Sequence, residues 1–206
     1  PKFCMDVRIE YADGSAETIA SDQTWKTALS PVIFNSIYTA EHVDNRLSMP
    51  GWDRAGYEDN GWKPAMLTPA PSQQIVAQTS VPIRITKSLA PVSMTKFSDS
   101  NYVFNFGQNI AGITSIRVSG QKGTLLRLVH GELTDTKGHV DLSNIDVHYR
   151  PTDDKDPFQT DIFILNGEGI EEFSPRFNYK GFQHVEVFSD KPVVLTEESL
   201  TAHCMH

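Results

Sequence analysis

Residues 2 to 11 alternate without a break. Phe3, Met5, Val7, Ile9 and Tyr11 fall on one side, and Cys4, Asp6, Arg8 and Glu10 on the other. A period of two over this length predicts a half-buried strand. Asp13-Gly14 follows, a strong hairpin signal, and "AETIASD" returns as the partner strand. From residue 75 onward short β-rich runs recur, among them "VPIRIT", "VSMTKF", "NYVFNF", "ITSIRVSG", "TLLRLVHGEL", "TDIFILNG", "FQHVEVFSD" and "VVLTEESLTAH". Gly, Asp or Asn punctuates most of the gaps. No stretch sustains a 3.6-residue period with caps. The pattern predicts an all-β chain with at least two sandwich-like sheets.

Two segments break the alternation. "SMPGWDRAGYEDNGWKPAML" (48 to 67) carries three glycines, two prolines and three aromatics. It predicts an ordered loop pinned by Trp52, Tyr57 and Trp62. "TPAPSQQ" (68 to 74) has the composition of a linker or crossing segment, so the expected division is 1–70 and 71–206. "DTKGHVDLSNIDVHYRPTDDKDPFQT" is a long polar excursion with no clear period.

Composition narrows the partners. The chain has 206 residues and a net charge of -8. That charge argues against nucleic acid and anionic membranes, which call for a basic face. No apolar run approaches the roughly 18 residues of a membrane span. The N-terminus lacks the order of a signal peptide and reads as the middle of a strand. The sequence is therefore expected to be part of something longer. Cys4 and Cys204 are too few for a disulfide framework, and read as buried thiols acting as small hydrophobes.

Candidate chemistry is sparse. Clustered oxygen ligands suited to calcium occur twice, at Glu41, Asp44 and Asn45, and at Asp153, Asp154 and Asp156. The competing readings, which the residues alone favour, are turn chemistry for the first and a solvated loop for the second. His130 and Glu132 share a strand face and can meet, more often as a structural pair than as acid and base. Nucleophile elbows and phosphate loops are missing. Sugar sites pair an aromatic platform with planar amides and carboxylates. Trp52, Tyr57 and Trp62 beside Glu41, Asp44 and Asn45 would suit, as would Gln108 and Asn109. The opposing reading places the tryptophans in the core.

"YVFNFGQNIAG" resembles the D-F-G-Q-N-x-x-G segment of bacterial α-L-rhamnosidases. "VSGQKGTLLRLVHGELTDTKGHV" and "EEFSPRFNYKGFQHVEV" resemble the runs that follow in that family, and "PGWDRAGYEDNGWKPA" its N-terminal landmarks. The order of motifs makes the likeness specific over nearly the whole chain. The resemblance implies two jelly-roll-like β-sandwich units. These are the C-terminal part of an N-terminal module (1–70) and a concanavalin-like sandwich (71–206). It also implies that the (α/α)6 barrel holding the catalytic carboxylates lies outside this sequence, so no catalytic residue is expected here. The implied parent reaction is hydrolysis of terminal α-L-rhamnosyl bonds with inversion, without a redox cofactor. The implied partners are rhamnose-containing glycans and the barrel of the same chain.

Two departures matter. Where the family has x-G-E-x-Y-D-A-R, this chain has "TAEHVDNR". Related rhamnose-binding modules place calcium on an Asp-Asn pair. The resemblance therefore marks Asp44 and Asn45 as metal candidates, and Glu41, Asp44, Asn45 and Trp52 as carbohydrate-binding candidates. The other departure is an apparent insertion in "VHYRPTDDKDPFQTDIF", after which Asp161 takes the place of a family aspartate. The amides of the Gly107-to-Gly112 stretch are expected to tie a bend rather than hold a sugar, with both glycines supplying unusual torsions.

Overall fold

The computed structural model describes residues 2–70, 72, 74, 76–145 and 157–206. In chain order the strands begin with β1 (Asp6–Glu10), β2 (Ala16–Ala20), β3 (Lys26–Thr27), β4 (Val32–Asn35), β5 (Glu41–Asp44) and β6 (Lys63–Pro64). They continue with β7 (Ile85–Leu89), β8 (Ser93–Ser98), β9 (Asn101–Val118), β10 (Leu125–Gly131), β11 (Leu133–Thr134) and β12 (Val140–Asp141). The last four are β13 (Thr160–Ile164), β14 (Glu171–Phe173), β15 (Lys180–Ser189) and β16 (Leu200–Met205). The all-β reading holds. Aspartates 153, 154 and 156 lie outside the described residues.

The chain forms two compact units, Pro1–Leu29 with Met49–Val81, and Ser30–Ser48 with Pro82–His206. In the smaller unit β1 pairs antiparallel with β2, and β3 with β6. The hairpin turns at Gly14, whose φ of +86° only glycine adopts readily. The aromatic loop is pinned as its composition predicts: Trp62 lies 6.4 Å from Trp52 and 6.0 Å from Tyr57 between ring centroids.

The division does not fall at residue 70. Residues 30–48 leave the smaller unit and enter the larger one through hydrogen bonding. β4 and β5 form a hairpin, and β5 then adds in parallel to β13, with Ile162 opposite His42. A polar loop composition marks where a chain bends, not which sheet the next strand joins.

The larger unit is a ten-stranded sheet ordered β4-β5-β13-β10-β15-β9-β16-β7, with β8 and β14 also on β9. β9 is long enough to belong to both layers of a sandwich. Its first half pairs with β8 and its second with β16 and β14, while β15 runs alongside both, from Asn101 to Asn105 and from Ile110 to Gly112. Between the layers lie Tyr102, Phe104, Ile116, Leu126, Leu128, Phe163, Phe173, Phe182 and Val187, all buried. Phe163 of β13 and Phe173 of β14 stack at 5.1 Å and 15°.

The crossing point is the "FGQN" of β9. Ile110 pairs with Phe182 and Asn105 with His184. Between these pairs β15 contributes Gln183 alone, whereas β9 contributes Phe106 to Asn109. This is a bulge that swings the strand. Gly107 takes φ +75° there. The side chain that ties the bulge is Asn105, whose Oδ1 accepts from Gly107 N (2.8 Å) and Gln183 Nε2 (3.2 Å). Gln108 and Asn109, to which the sequence assigned that task, are exposed. Gly112 is needed for space rather than torsion, because a Cβ there would lie 1.9 Å from the His203 carbonyl oxygen. The two thiols are free; Cys4 is exposed and Cys204 half-buried, so neither is the core residue expected.

Candidate functional site

The four carbohydrate candidates divide between the two units. Trp52 belongs to the smaller unit and is 57% exposed, while Glu41, Asp44 and Asn45 belong to the larger one. Glu41 is 2% exposed. Its Oε2 accepts from the backbone N–H groups of Arg176 and Phe177, each at 3.2 Å. Asp44 is clamped by Arg46: Nε reaches Oδ1 at 2.8 Å and Nη2 reaches Oδ2 at 2.7 Å. That side-chain bonding, ahead of the guanidinium charge, holds the Asp44 carboxyl below its ordinary range. Asn45 donates to Glu171 Oε2 at 2.5 Å and accepts from Ser48 Oγ.

Calcium favours several uncommitted oxygens. At Asp44 and Asn45 an ion competes with Arg46 for one side chain and with Ser48 for the other. Among the described residues no three His, Cys, Asp or Glu side chains gather in a metal-sized cluster. The donor set as built fits a capped 3-10 turn at Asn45–Leu47, with Asp44 as its N-cap.

What the tertiary structure does gather is a buried polar network around Asp161, which is fully buried. Asp161 Oδ1 accepts from Glu41 N at 3.0 Å, and Oδ2 accepts from Lys180 Nζ at 2.8 Å. Lys180 also donates to Asn178 Oδ1 at 2.6 Å. The Asn178 Nδ2 is buried without a partner among the described residues. His130 sits against the same carboxylate, its Nε2 3.8 Å from Asp161 Oδ2. The two ring nitrogens face Thr114 Oγ1 (3.0 Å) and the Gln159 carbonyl (3.2 Å). A carbonyl only accepts, so Nδ1 carries the proton and Nε2 accepts from the threonine hydroxyl. Gln159, at φ +47°, completes the ring by donating to the His130 carbonyl and accepting from Gly181 N.

Period two explains the burial of the lysine. Lys180 and Phe182 share one face of β15, and Phe182 is in the core. That alternation in "NYKGF" was the available signal for Lys180, and a lysine opposite an aspartate was not visible from spacing. His130 and Glu132 do not form the pair that their spacing allowed. β10 ends at Gly131, so the face alternation stops there, and Glu132 instead accepts from Asn144.

The electrostatics follow from burial. Desolvation, then the Lys180 charge, push His130 from 6.5 down to about 4, against the pull of Asp161. Desolvation raises the Glu41 carboxyl and lowers Lys180, whose charge Asp161 supports. The His130 shift makes stability depend on pH. An unfolded chain protonates this histidine near 6.5 and the folded chain only near 4, so its stabilising contribution is complete above 6.5 and disappears towards 4. Glu41 acts in the opposite sense, losing its contribution as pH rises through its raised value. The His130 part is therefore read as a difference. Urea unfolding of wild type and His130→Gln between pH 4 and 7 should show a steeper acid decline in the wild type, by up to about 3 kcal/mol across the window. Parallel curves would contradict the assignment.

The network therefore fixes backbone. Glu41 anchors the 176–177 turn, Asp161 anchors β5, and Gln159 joins β10 to the start of β15. Each of its carboxylates is engaged by lysine or by main-chain N–H groups.

Comparisons with known proteins agree with this architecture. Residues 1–87 match the alpha-L-rhamnosidase N-terminal domain, and residues 95–206 the bacterial alpha-L-rhamnosidase concanavalin-like domain. An alpha-L-rhamnosidase of Streptomyces avermitilis is 33% identical over the whole chain, which spans 19% of that protein. One from Formosa agariphila is 30% identical over 93% of the chain and 20% of its own length. The chain thus covers about a fifth of these curated relatives. The solved alpha-L-rhamnosidase of Dictyoglumus thermophilum superimposes with a TM-score of 0.86 at 36% identity, over 98% of this chain and 22% of its own. With that match across both units, the chain belongs to the bacterial alpha-L-rhamnosidase family.

Proposed function

We propose that this chain is the non-catalytic β-sandwich portion of an α-L-rhamnosidase that hydrolyses terminal α-L-rhamnosyl bonds with inversion. Its task is to support the (α/α)6 barrel that carries the acid and base. One observation carries the reading: the buried carboxylates of the larger unit are spent on structure. Asp161 holds Lys180, Glu41 holds the 176–177 turn, and Glu171 accepts from Asn166 N and Gly167 N. Inverting hydrolysis needs two carboxyl groups roughly 6.5–9.5 Å apart and facing a shared substrate cleft. Carboxylates saturated by backbone donors cannot supply that pair.

The test is an assay of the 206-residue chain on an aryl α-L-rhamnoside. Release of phenol at the blank rate is expected, and turnover above it would overturn the non-catalytic assignment. Titration with L-rhamnose, with and without a calcium chelator, should give no heat in either arm. Heat that the chelator abolishes would move the assignment to a calcium-dependent binding module at Asp44 and Asn45.

A further inference from the structure

On the outer face of the sandwich, β11 and β12 form a two-stranded sheet that shares no ladder with the ten-stranded one. Its ladder has two residue pairs, Leu133 with Asp141 and Thr134 with Val140, and beyond them Asp135 N donates to the His139 carbonyl at 2.8 Å. A hairpin this short is not stable by itself. Its turn is organised locally by Asp135, whose Oδ1 accepts from Lys137 N and His139 N. The element is nevertheless laid flat on the sheet, and Glu186 of β15 holds it there.

Glu186 is 2% exposed. It accepts from three donors: Asn101 Nδ2 on β9 (3.0 Å), His139 Nδ1 (2.7 Å) and Val140 N (2.8 Å). The last two belong to the hairpin. The His139 ring also stacks on Phe97 of β8 at 4.2 Å and 23°. Gly131 lets the hairpin come close, because a Cβ there would sit 2.5 Å from Val140 Cγ1. By register Val103 and Val129 lie opposite Glu186 on the same face. Val103 is 5% exposed although it faces away from the core.

We propose that residues 132–145 are a strap, a separately opening unit latched to the sandwich by the single carboxylate of Glu186. Opening uncovers an apolar strip made by Phe97, Val103 and Val129. The latch is concentrated because all three partners donate and a carboxylate only accepts. An amide at position 186 keeps one acceptor oxygen and turns an NH2 group towards the donors on its other side, so shape is kept while the latch is weakened.

Hydrogen exchange read by mass spectrometry on the intact chain tests this. Glu186→Gln should speed exchange of the strap amides, Asp135 to Val140, by about tenfold or more, leaving β9, β10 and β15 protected as in wild type. Trypsin cleavage after Lys137 should accelerate in parallel. His139→Ala, at a half-exposed site that tolerates truncation, should reproduce the effect in weaker form. Strap exchange unchanged in both variants would overturn the proposal. So would loosening that spreads evenly over β9, β10 and β15, since Glu186 would then be an ordinary stabiliser of the sheet.

Discussion

Replacing Asp161 by alanine is expected to destabilise the larger unit by about 3–5 kcal/mol, read as a drop in the urea midpoint at constant slope. The side chain is fully buried and serves three neighbours at once. Its removal leaves the Lys180 ammonium, itself 4% exposed, with Asn178 Oδ1 alone. It also leaves the Glu41 N–H of β5 without its acceptor. An uncompensated charge in low dielectric is the dominant cost, because attraction to Asp161 is what offsets the desolvation of Lys180. The same reasoning fixes a control. A double replacement, Asp161→Leu with Lys180→Met, removes both charges and restores apolar volume, so it should recover most of the loss. If Asp161→Ala costs less than about 1 kcal/mol, the lysine is solvated and the network is not the keystone described here.

Gly112→Ala is the second large effect, expected to cost about 3 kcal/mol or more, at or beyond the upper end of ordinary overpacking. The Cβ would meet backbone, not a side chain that can rotate away: the His203 carbonyl oxygen lies at 1.9 Å and its carbon at 2.9 Å. Relief requires β16 to move off β9, and β16 is the only described strand between β9 and β7. Exchange protection at Thr201 to Cys204 should fall together with the melting temperature. Gly107→Ala differs in kind. There the backbone lies at φ +75° and the nearest atom is Val92 Cγ1 at 3.1 Å. It should cost about 1–3 kcal/mol through torsional strain and leave the β16 ladder intact. Equal protection patterns in the two variants would refute the distinction between a glycine kept for space and one kept for torsion.

Much of the molecule is legible from local pattern. Period two along residues 2 to 11 and the Asp13-Gly14 turn specify the first hairpin, because alternation and turn chemistry are properties of neighbouring residues. The recurring short strands specify an all-β chain, and the order of "YVFNFGQNIAG", "VSGQKGT" and "SPRFNYKGF" carries the family. Tertiary structure decided what connects distant positions. Glu41 looked like a turn carboxylate because its partners lie far along the chain, at Asp161, Arg176 and Phe177. The pairing of Lys180 with Asp161 has no local signature, because nothing near the lysine in sequence announces an aspartate across the sheet. Gly112 looked like a torsional glycine because the strand crowding it is β16, adjacent in the sheet but far along the chain. Alternation says which residues share a face; pairing and register between strands far apart in sequence say what that face meets, and no local period encodes them.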